Sequence, residues 1–216
     1  MAGTGGRTPR ERYRAQVRDE AKRLAWEQIA AAGPSALSLN ALARRLGMTG
    51  PALYRYFAGR DALLAELIRD ACRDLTATLR AGAAAGAGPG GLAEALRAWA
   101  LAHPQRYFLL YGTPVPGREA PESTRRVTGE ITAVLLDACG AAGPPDAPGG
   151  SPAALRRALA FWTRLHGVLS LELAGHFTGM GFDPAELYGA ETASLPGEEA
   201  GRGAGISGDR VPLGGL

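Results

Sequence analysis

Apolar residues recur every three or four positions along most of the chain, which is the period of a helix with one buried face. The clearest case is the stretch from Ser38 to Leu63. Its first apolar face is made by Leu39, Leu42, Ala43 and Leu46. Ser38 precedes this face as an N-cap, and Gly47 ends the helix because glycine adopts the left-handed conformation of a helix C-terminus without steric cost. The pattern predicts a short helix from Leu39 to Leu46.

A second short helix is predicted after a tight turn, from about Gly50 to Phe57. Thr49 is its N-cap, and Pro51 lies in the first turn, where a missing N–H costs nothing. The inward side carries Leu53, Phe57 and part of Tyr56, and the outward side carries Pro51, Tyr54 and Arg55. Small residues followed by an aromatic hydroxyl and an arginine suit insertion into the DNA major groove. An ordinary helical hairpin with a solvated arginine fits the bare pattern equally well.

The rest of the chain keeps the helical period and shows no alternation typical of strands, so an all-α fold is predicted. A first helix runs from Arg10 to Ala32, where Gly33 and Pro34 stop it, and a fourth runs from near Asp61 to about Leu79. Further helices are predicted at Leu92 to Ala102, Pro104 to Tyr111, Glu122 to Cys139, Pro152 to Thr178 and Pro184 to Ala193.

Breaks in this pattern divide the chain into domains. Glycine and proline interrupt the period between Gly82 and Gly91, and we place the domain boundary there. Residues 10–80 then form an N-terminal helical domain that includes the connecting helix, and residues 91–193 form a larger C-terminal helical domain. Glycine-rich composition predicts a disordered arm at residues 1–9, a loop from Gly140 to Gly150 and a disordered tail at residues 194–216.

Composition narrows the function classes. With 216 residues and 46% hydrophobic content the chain can bury a substantial core. It lacks the roughly eighteen apolar residues in a row that a membrane span needs, so we expect a cytoplasmic protein with no membrane partner. Cys72 and Cys139 lack metal-ligand spacing, and no metal site or cofactor is predicted. Residues 1–80 hold 14 Lys and Arg against 8 Asp and Glu, and this excess of positive charge is typical of a DNA-binding end.

The order L-A-x-x-L-G-M-T-G-P-A-L-Y-x-Y-F-x-x-R-x-x-L in the Ser38 to Leu63 stretch resembles the DNA-binding segment of the tetracycline-repressor (TetR) family of bacterial transcription regulators. The resemblance covers about the first third of the chain. It implies that the protein is a helix-turn-helix regulator of transcription. Arg60 stands where the family usually has a lysine that bonds phosphate, and an arginine retains the charge.

The predicted DNA-binding residues combine the outward positions with those implied by the resemblance. Gly50 and Ala52 fall where some family members carry base-reading side chains, which leaves fewer direct base contacts here. Asn40 can bond an adenine edge or a phosphate. The full set is Ser38, Asn40, Thr49, Gly50, Pro51, Ala52, Tyr54, Arg55, Tyr56 and Arg60. Four further arginines near the N-terminus fit either a phosphate contact or a solubilising arm, namely Arg7, Arg10, Arg12 and Arg14.

The C-terminal half carries weaker signals. Trp162, His166 and Gly167 form W-x-x-x-H-G, which resembles the C-terminal domain type named after these residues in one branch of the family. The segment HPQRYFLLYG from His103 resembles the opening of the family's ligand domain. The resemblance implies a pocket for an unidentified small-molecule effector, with candidates that equally fit a plain core: Trp99, Phe108, Tyr111, Trp162 and His166. It also implies a homodimer through the last long helices, with an apolar surface of Leu165, Leu169, Leu173, Ala174 and Phe177.

These observations favour a ligand-responsive repressor that binds a palindromic operator as a homodimer. The alternative is a non-specific or architectural DNA-binding protein without effector control, which predicts weak sequence preference and strong salt dependence. An enzyme is disfavoured, because no histidine has a nearby partner set that reads as a triad or a metal site. The three histidines are His103, His166 and His176.

Overall fold

The computed structural model describes residues 8–112, 122–138 and 152–193. These ranges contain α-helices and a short 3₁₀ turn at Pro34–Ala36, with no strand, which confirms the predicted all-α class. The helices are α1 (Pro9–Ala32), α2 (Leu39–Arg45), α3 (Gly50–Tyr54), α4 (Arg60–Ala84), α5 (Pro89–Ala102), α6 (Pro104–Tyr111), α7 (Glu122–Ala138), α8 (Pro152–Leu173) and α9 (Pro184–Ala193). Predictions for Arg7, Cys139, the 140–150 loop and the 194–216 tail lie outside the described residues.

The start of α1 is fixed by a capping box. The backbone N–H of Thr8 donates to Glu11 Oε2 at 2.8 Å, and the N–H of Glu11 donates to the Thr8 hydroxyl at 3.3 Å. Such reciprocal bonds satisfy two donors that a helix start otherwise leaves free. The helix therefore begins at Pro9, so the last two residues of the predicted arm belong to it or cap it.

One hydrophobic core holds α1, α2, α3 and the first part of α4 together. We call this part of the molecule the head. Its buried side chains include the inward residues predicted from the helical spacing, and the larger ones are Leu24, Ile29, Leu37, Leu39, Leu42, Leu53, Phe57, Leu63 and Leu67. Burial on this side leaves the opposite face of α2 and α3 in solvent.

The helix α3 ends three residues earlier than predicted, at Tyr54 rather than Phe57. The chain continues as a turn, in which the N–H of Tyr56 donates to the carbonyl of Leu53 at 2.9 Å. The carbonyl of Tyr56 accepts a hydrogen bond from Arg18 of α1. The guanidinium thus takes the place of the next helical N–H, and it fixes the exit from α3 against α1.

A second core holds the remaining helices, which we call the body. It contains Leu75 and Leu79 of α4 together with residues of α5 to α9. Because α4 also supplies Leu63 and Leu67 to the head, the change from one core to the other falls within this single helix. The helix continues to Ala84, beyond the predicted end at Leu79, and Gly86 follows it with a φ of +84°.

The helix α8 ends at Leu173, before the predicted Thr178. Gly175 adopts a φ of +77°, and the N–H of His176 donates to the carbonyl of Leu171 at 3.0 Å. This is the glycine-dependent Schellman ending of a helix. After it, α9 packs on α8, and the Tyr188 hydroxyl donates to the carbonyl of Ala93 at 2.7 Å.

The predicted dimer surface is wrong in part. Leu165 and Leu169 have no exposed area and lie in the body core, while Leu173 and Phe177 pack against that core. Only Ala174 of the five is exposed. The α8 helix is apolar over a wide arc. The face that was predicted to contact a second copy of the chain packs against the body core instead. Within the described residues, no helix is long and apolar enough to span a bilayer.

Candidate functional site

The exposed face of α2 and α3 carries most of the predicted DNA-binding residues. Ser38, Thr49, Pro51 and Arg55 are exposed, and 49% of Tyr54 is accessible. The Ser38 hydroxyl accepts from the N–H of Ala41 at 3.4 Å, so it caps α2 as predicted. Thr49 precedes α3 without a side-chain cap bond, which leaves its hydroxyl unused within the described structure. This hydroxyl and that of Tyr54 stand at the two ends of α3.

Gly50 determines where Asn40 lies. A Cβ at Gly50 would be 2.8 Å from Oδ1 of Asn40, which is closer than real Cβ contacts come. The Asn40 side chain therefore lies across the first turn of α3, in space that a larger residue at position 50 would fill. Ala52, two residues on, is half-buried. The side-chain amide of Asn40, a residue of α2, therefore lies at the start of α3.

Tyr56 and Arg60 are more constrained than the sequence indicated. Tyr56 is half-buried, with the guanidinium of Arg14 lying 5.7 Å from its ring centroid. Arg60 donates to the carbonyl of Pro34 at 2.8 Å and lies 3.4 Å from the carboxylate of Asp61. A guanidinium has five N–H donors, so Arg60 keeps others for a phosphate while it ties α4 to the turn after α1.

The sequence reasoning missed Arg44. It lies in the last turn of α2, four residues after Asn40 and hence on the same face. Its neighbour Arg45 pairs with Glu27 at 2.6 Å, whereas Arg44 and Arg55 are exposed and have no ion-pair partner in the described parts of the chain. The spacing from Asn40 was the available signal. Two guanidinium groups on the α2–α3 face are thus free to meet phosphate.

A cavity of about 330 Å³, largely open to solvent, lies in the body between α6 and α8. The lining residues are Tyr107, Tyr111, Trp162, Thr163, His166, Gly167 and Ser170. Three of the five predicted pocket residues are among them. The other two do not line this cavity: Trp99 is core, with its indole N–H donating to Asp74 at 2.9 Å, and Phe108 is 38% exposed.

Tyr107 is the aromatic cavity residue that the sequence reasoning missed, although its i, i+4 spacing with Tyr111 was visible. Its hydroxyl is 2.8 Å from Nδ1 of His166. Burial lowers the pKa of His166 to about 4 and raises the pKa values of Tyr107 and Tyr111. All three groups are neutral at physiological pH. In the described structure, Nε2 of His166 and the hydroxyl of Tyr111 are buried without a hydrogen-bond partner.

The depressed pKa of His166 predicts a pH dependence of stability. The unfolded chain binds a proton near pH 6.5 that the folded chain binds only near pH 4, so stability is lost as the pH falls through this range. Between pH 7 and pH 5, we expect the wild type to lose about 2 kcal/mol more unfolding free energy than His166→Phe. Urea unfolding of both proteins at the two pH values measures this. Equal losses would contradict the buried neutral histidine.

The helix α6 lies between the cavity and the head. Tyr107 and Tyr111 face the cavity, while Leu109 packs against the head core. The guanidinium of Arg106 is 2.6 Å from the Asp74 carboxylate of α4 and 5.6 Å from the Trp26 ring centroid of α1. A cleft of about 540 Å³ beside this contact is lined largely by charged side chains of α1, α4 and α6. We call the contact of Arg106 with Asp74 and Trp26 the joint.

Comparisons with known proteins agree with this architecture. The family described as bacterial regulatory proteins, tetR family, matches residues 23–67, which contain α2 and α3. The family described as tetracyclin repressor-like, C-terminal domain, matches residues 90–195. Mb1846 of Mycobacterium bovis, an HTH-type transcriptional regulator, is 31% identical, and the similarity covers 84% of this chain and 92% of that protein. The chain belongs to the TetR family.

Further relatives of this TetR-family regulator support the same assignment. Rv1816 of Mycobacterium tuberculosis, also an HTH-type transcriptional regulator, gives the same 31% identity with 92% of its length covered. The crystal structure of SCO4313 has a TM-score of 0.80 and 60% identity, and the similarity covers 88% of this chain and 100% of that one. A protein of unknown function from Rhodococcus sp. RHA1 has a TM-score of 0.64 and 27% identity, with 83% of this chain and 92% of that chain covered. The protein is therefore a DNA-binding regulator of transcription, as the sequence predicted.

No cluster of three or more His, Cys, Asp or Glu able to hold a metal ion occurs among the residues described. Cys72 is buried in α4, and burial raises the pKa of its thiol to about 11, so the thiolate is scarce at neutral pH.

Proposed function

We propose that the protein is a homodimeric repressor that binds a palindromic operator and releases it when a small molecule enters the cavity between α6 and α8. The observation that carries this proposal is the position of α6. One short helix has its tyrosines in the cavity wall and its Arg106 in the joint to the head. Movement of the cavity wall on ligand binding would therefore move a contact of α1 and α4.

The DNA contacts divide into base readers and phosphate binders. Asn40, Thr49 and Tyr54 supply hydrogen-bonding groups around α3, and the small residues Gly50 and Pro51 let the backbone approach the groove. Because Asn40 lies over the start of α3, it would take the place of the side chain that Gly50 lacks.

The phosphate binders flank this face. Arg44, Arg55 and Arg60 supply the charge there, and Arg10 and Arg12 extend it along the exposed start of α1. Tyr56 serves mainly to pack against Arg14 and to close α3, so we expect a smaller part for it in DNA binding.

A homodimer would use the apolar side chains that the fold leaves exposed. Large apolar residues remain at least a third accessible on α8, on α9 and in the segment between them, and such patches mark interaction surfaces. They are Leu155, Leu159, Leu171, Met180, Phe182 and Leu187. Two heads related by a two-fold axis would then read two half-sites. Sedimentation equilibrium of the purified protein tests this part, and a monomer at micromolar concentration would contradict it.

Selection of random duplex DNA at physiological salt tests the whole proposal. Sequencing the retained DNA should show a palindrome with half-sites about one helical turn or a multiple of it apart. Retained DNA without a motif would instead support the architectural alternative. The selected operator then serves as a probe, with which fractions of cell extract are screened for a small molecule that releases it.

The joint predicts a variant that separates ligand binding from response. Arg106→Met keeps an aliphatic stem but removes the charge that pairs with Asp74 and lies over Trp26. Coupling between the two sites of an allosteric protein is usually about 1–3 kcal/mol, or roughly 5- to 150-fold. The extract fraction that releases the operator lowers the operator affinity of the wild type by some factor. We expect that factor to be roughly 2- to 30-fold smaller in this variant.

Arg80→Met is the matched control, because it also removes an arginine from an ion pair. Arg80 pairs with Glu130 at 3.4 Å in the body, and its side chain is 61% exposed. It should respond like the wild type. A full response in Arg106→Met, measured by anisotropy of labelled operator with and without the fraction, would exclude the joint as the route of coupling.

A further inference from the structure

The walls of the cavity between α6 and α8 are aromatic. The Trp162 and His166 rings meet edge to face with centroids 4.0 Å apart, and Tyr111 lies 4.3 Å from His166. Tyr107 stacks on His166 from the α6 side at 5.6 Å. With about 330 Å³, the space is at the small end of ligand sites, which run from about 300 to 1,000 Å³. Such walls accept a flat ring system of one or two rings.

The hydrogen bond between Tyr107 and His166 determines which polar groups of the cavity are donors. If the Tyr107 hydroxyl donates to Nδ1 of His166, the histidine carries its proton on Nε2, and one donor remains unpaired in the described structure. If Nδ1 donates instead, both Nε2 and the tyrosine O–H are left without a partner. Since each buried polar group without a partner is costly, the first arrangement is favoured. The Nε2–H of His166 and the Tyr111 hydroxyl are then two buried donors without a partner, on residues that line the cavity.

Charge is missing from the described wall. None of the seven lining side chains carries an ionised group at neutral pH. A charged ligand would give up its hydration without meeting an opposite charge, whereas a neutral ligand would not. The hydroxyls of Thr163 and Ser170 already donate to backbone carbonyls, at 3.0 and 3.2 Å. Donors toward the ligand therefore come from His166 and Tyr111.

We propose that this cavity binds a neutral, planar aromatic molecule bearing a carbonyl or similar hydrogen-bond acceptor, which His166 and Tyr111 recognise. The assignment rests on the proposed function, because it names the chemical class of the effector. A quaternary ammonium also binds in aromatic cages, but it has no acceptor atom for the Nε2–H donor. A carboxylate has acceptor atoms, but it brings a charge that none of the described lining residues balances.

Four naphthalene probes of similar shape test the assignment by equilibrium dialysis against the purified full chain, without DNA. They are 2-acetylnaphthalene, 2-ethylnaphthalene, 2-naphthoate and 2-naphthyltrimethylammonium. The ketone should bind about tenfold more tightly than the ethyl compound, because only it pairs the buried donors. It should also bind more tightly than both ions. A ratio near one, tighter binding of either ion, or no binding of the ketone would overturn the proposal.

Variants of His166 and Tyr111 test whether these two residues cause the preference for the ketone over the ethyl compound. His166→Phe keeps an aromatic ring and removes the Nε2–H, so the ketone-to-ethyl ratio should fall to about one. Tyr111→Phe removes a single oxygen and should lower the ratio as well, which keeps the test available if the first variant does not fold. His176→Phe is the matched control, since His176 is exposed and does not line the cavity, and its ratio should equal that of the wild type. An unchanged ratio in both cavity variants would contradict the assignment.

Failure of this inference is distinguishable from failure of the proposed function. The dialysis experiment contains no DNA, so a wrong ligand class leaves the operator selection and the joint variant unaffected. A selection that retains DNA without a motif would contradict the repressor, whatever the probes show.

Discussion

Replacing Phe57 with alanine is expected to lower the free energy of unfolding of the head by about 3–5 kcal/mol. The ring is 2% exposed in the head core, and the guanidinium of Arg18 lies 4.7 Å from its centroid. Removing it leaves a cavity directly after α3 and takes away the surface on which Arg18 rests while it holds the Tyr56 carbonyl. The change therefore destabilises the core and frees the end of α3 together.

Urea unfolding followed by far-ultraviolet circular dichroism measures this loss. Tyr13→Ala is the control, because Tyr13 is on α1 but 60% exposed, and its removal should cost about 0.5 kcal/mol or less. If Phe57→Ala unfolded at the same urea concentration as this control, the packing of the head described above would be incorrect.

The second large effect concerns DNA. We expect the double variant Arg44→Ala, Tyr54→Ala to bind the selected operator about a hundredfold more weakly than the wild type, or worse. Each side chain is exposed on the α2–α3 face, and neither contributes to the head core. A base or phosphate contact is commonly worth about 1–3 kcal/mol, and the proposed homodimer would lose each contact twice. Stability should change little, because no buried group is removed.

Anisotropy of labelled operator across a range of salt concentrations is the measurement. The loss of Arg44 should also reduce the dependence of affinity on salt, since fewer counterions are released. Arg80→Ala removes an equal charge from the body and should leave both quantities unchanged. Operator affinity like that of the wild type in a folded double variant would disprove the assigned face.

The head was predictable from sequence because its contacts are local. Leu42 and Leu53 lie inward as the helical spacing predicts, and the residues opposite them are exposed. The end of α3 was not predictable. It depends on Arg18, which lies 38 residues away in sequence and meets Tyr56 only in the folded head.

The body shows the same limit in another form. An apolar arc on α8 predicts burial but not which neighbour covers it, and Leu165 and Leu169 are covered by the protein's own core rather than by a second copy. Three cavity residues were predicted from sequence. Trp99, also predicted, instead donates a hydrogen bond to Asp74, and Tyr107 lines the cavity without having been predicted. Which aromatic residues meet depends on how α6 crosses α8, and spacing along one helix does not contain that information.

The eight-residue helix α6 places Arg106 and Tyr107 at adjacent positions, with one side chain in the joint and the next in the cavity wall. Under the proposed function, an evolving lineage that alters α6 to accept a new molecule would risk its signalling in the same step. The α8 helix supplies Trp162 and His166 to the opposite wall and packs on α5, α7 and α9. Diversity of recognised molecules among close homologues should accumulate on α8, and a laboratory that builds biosensors from this scaffold would randomise α8 and keep α6 constant.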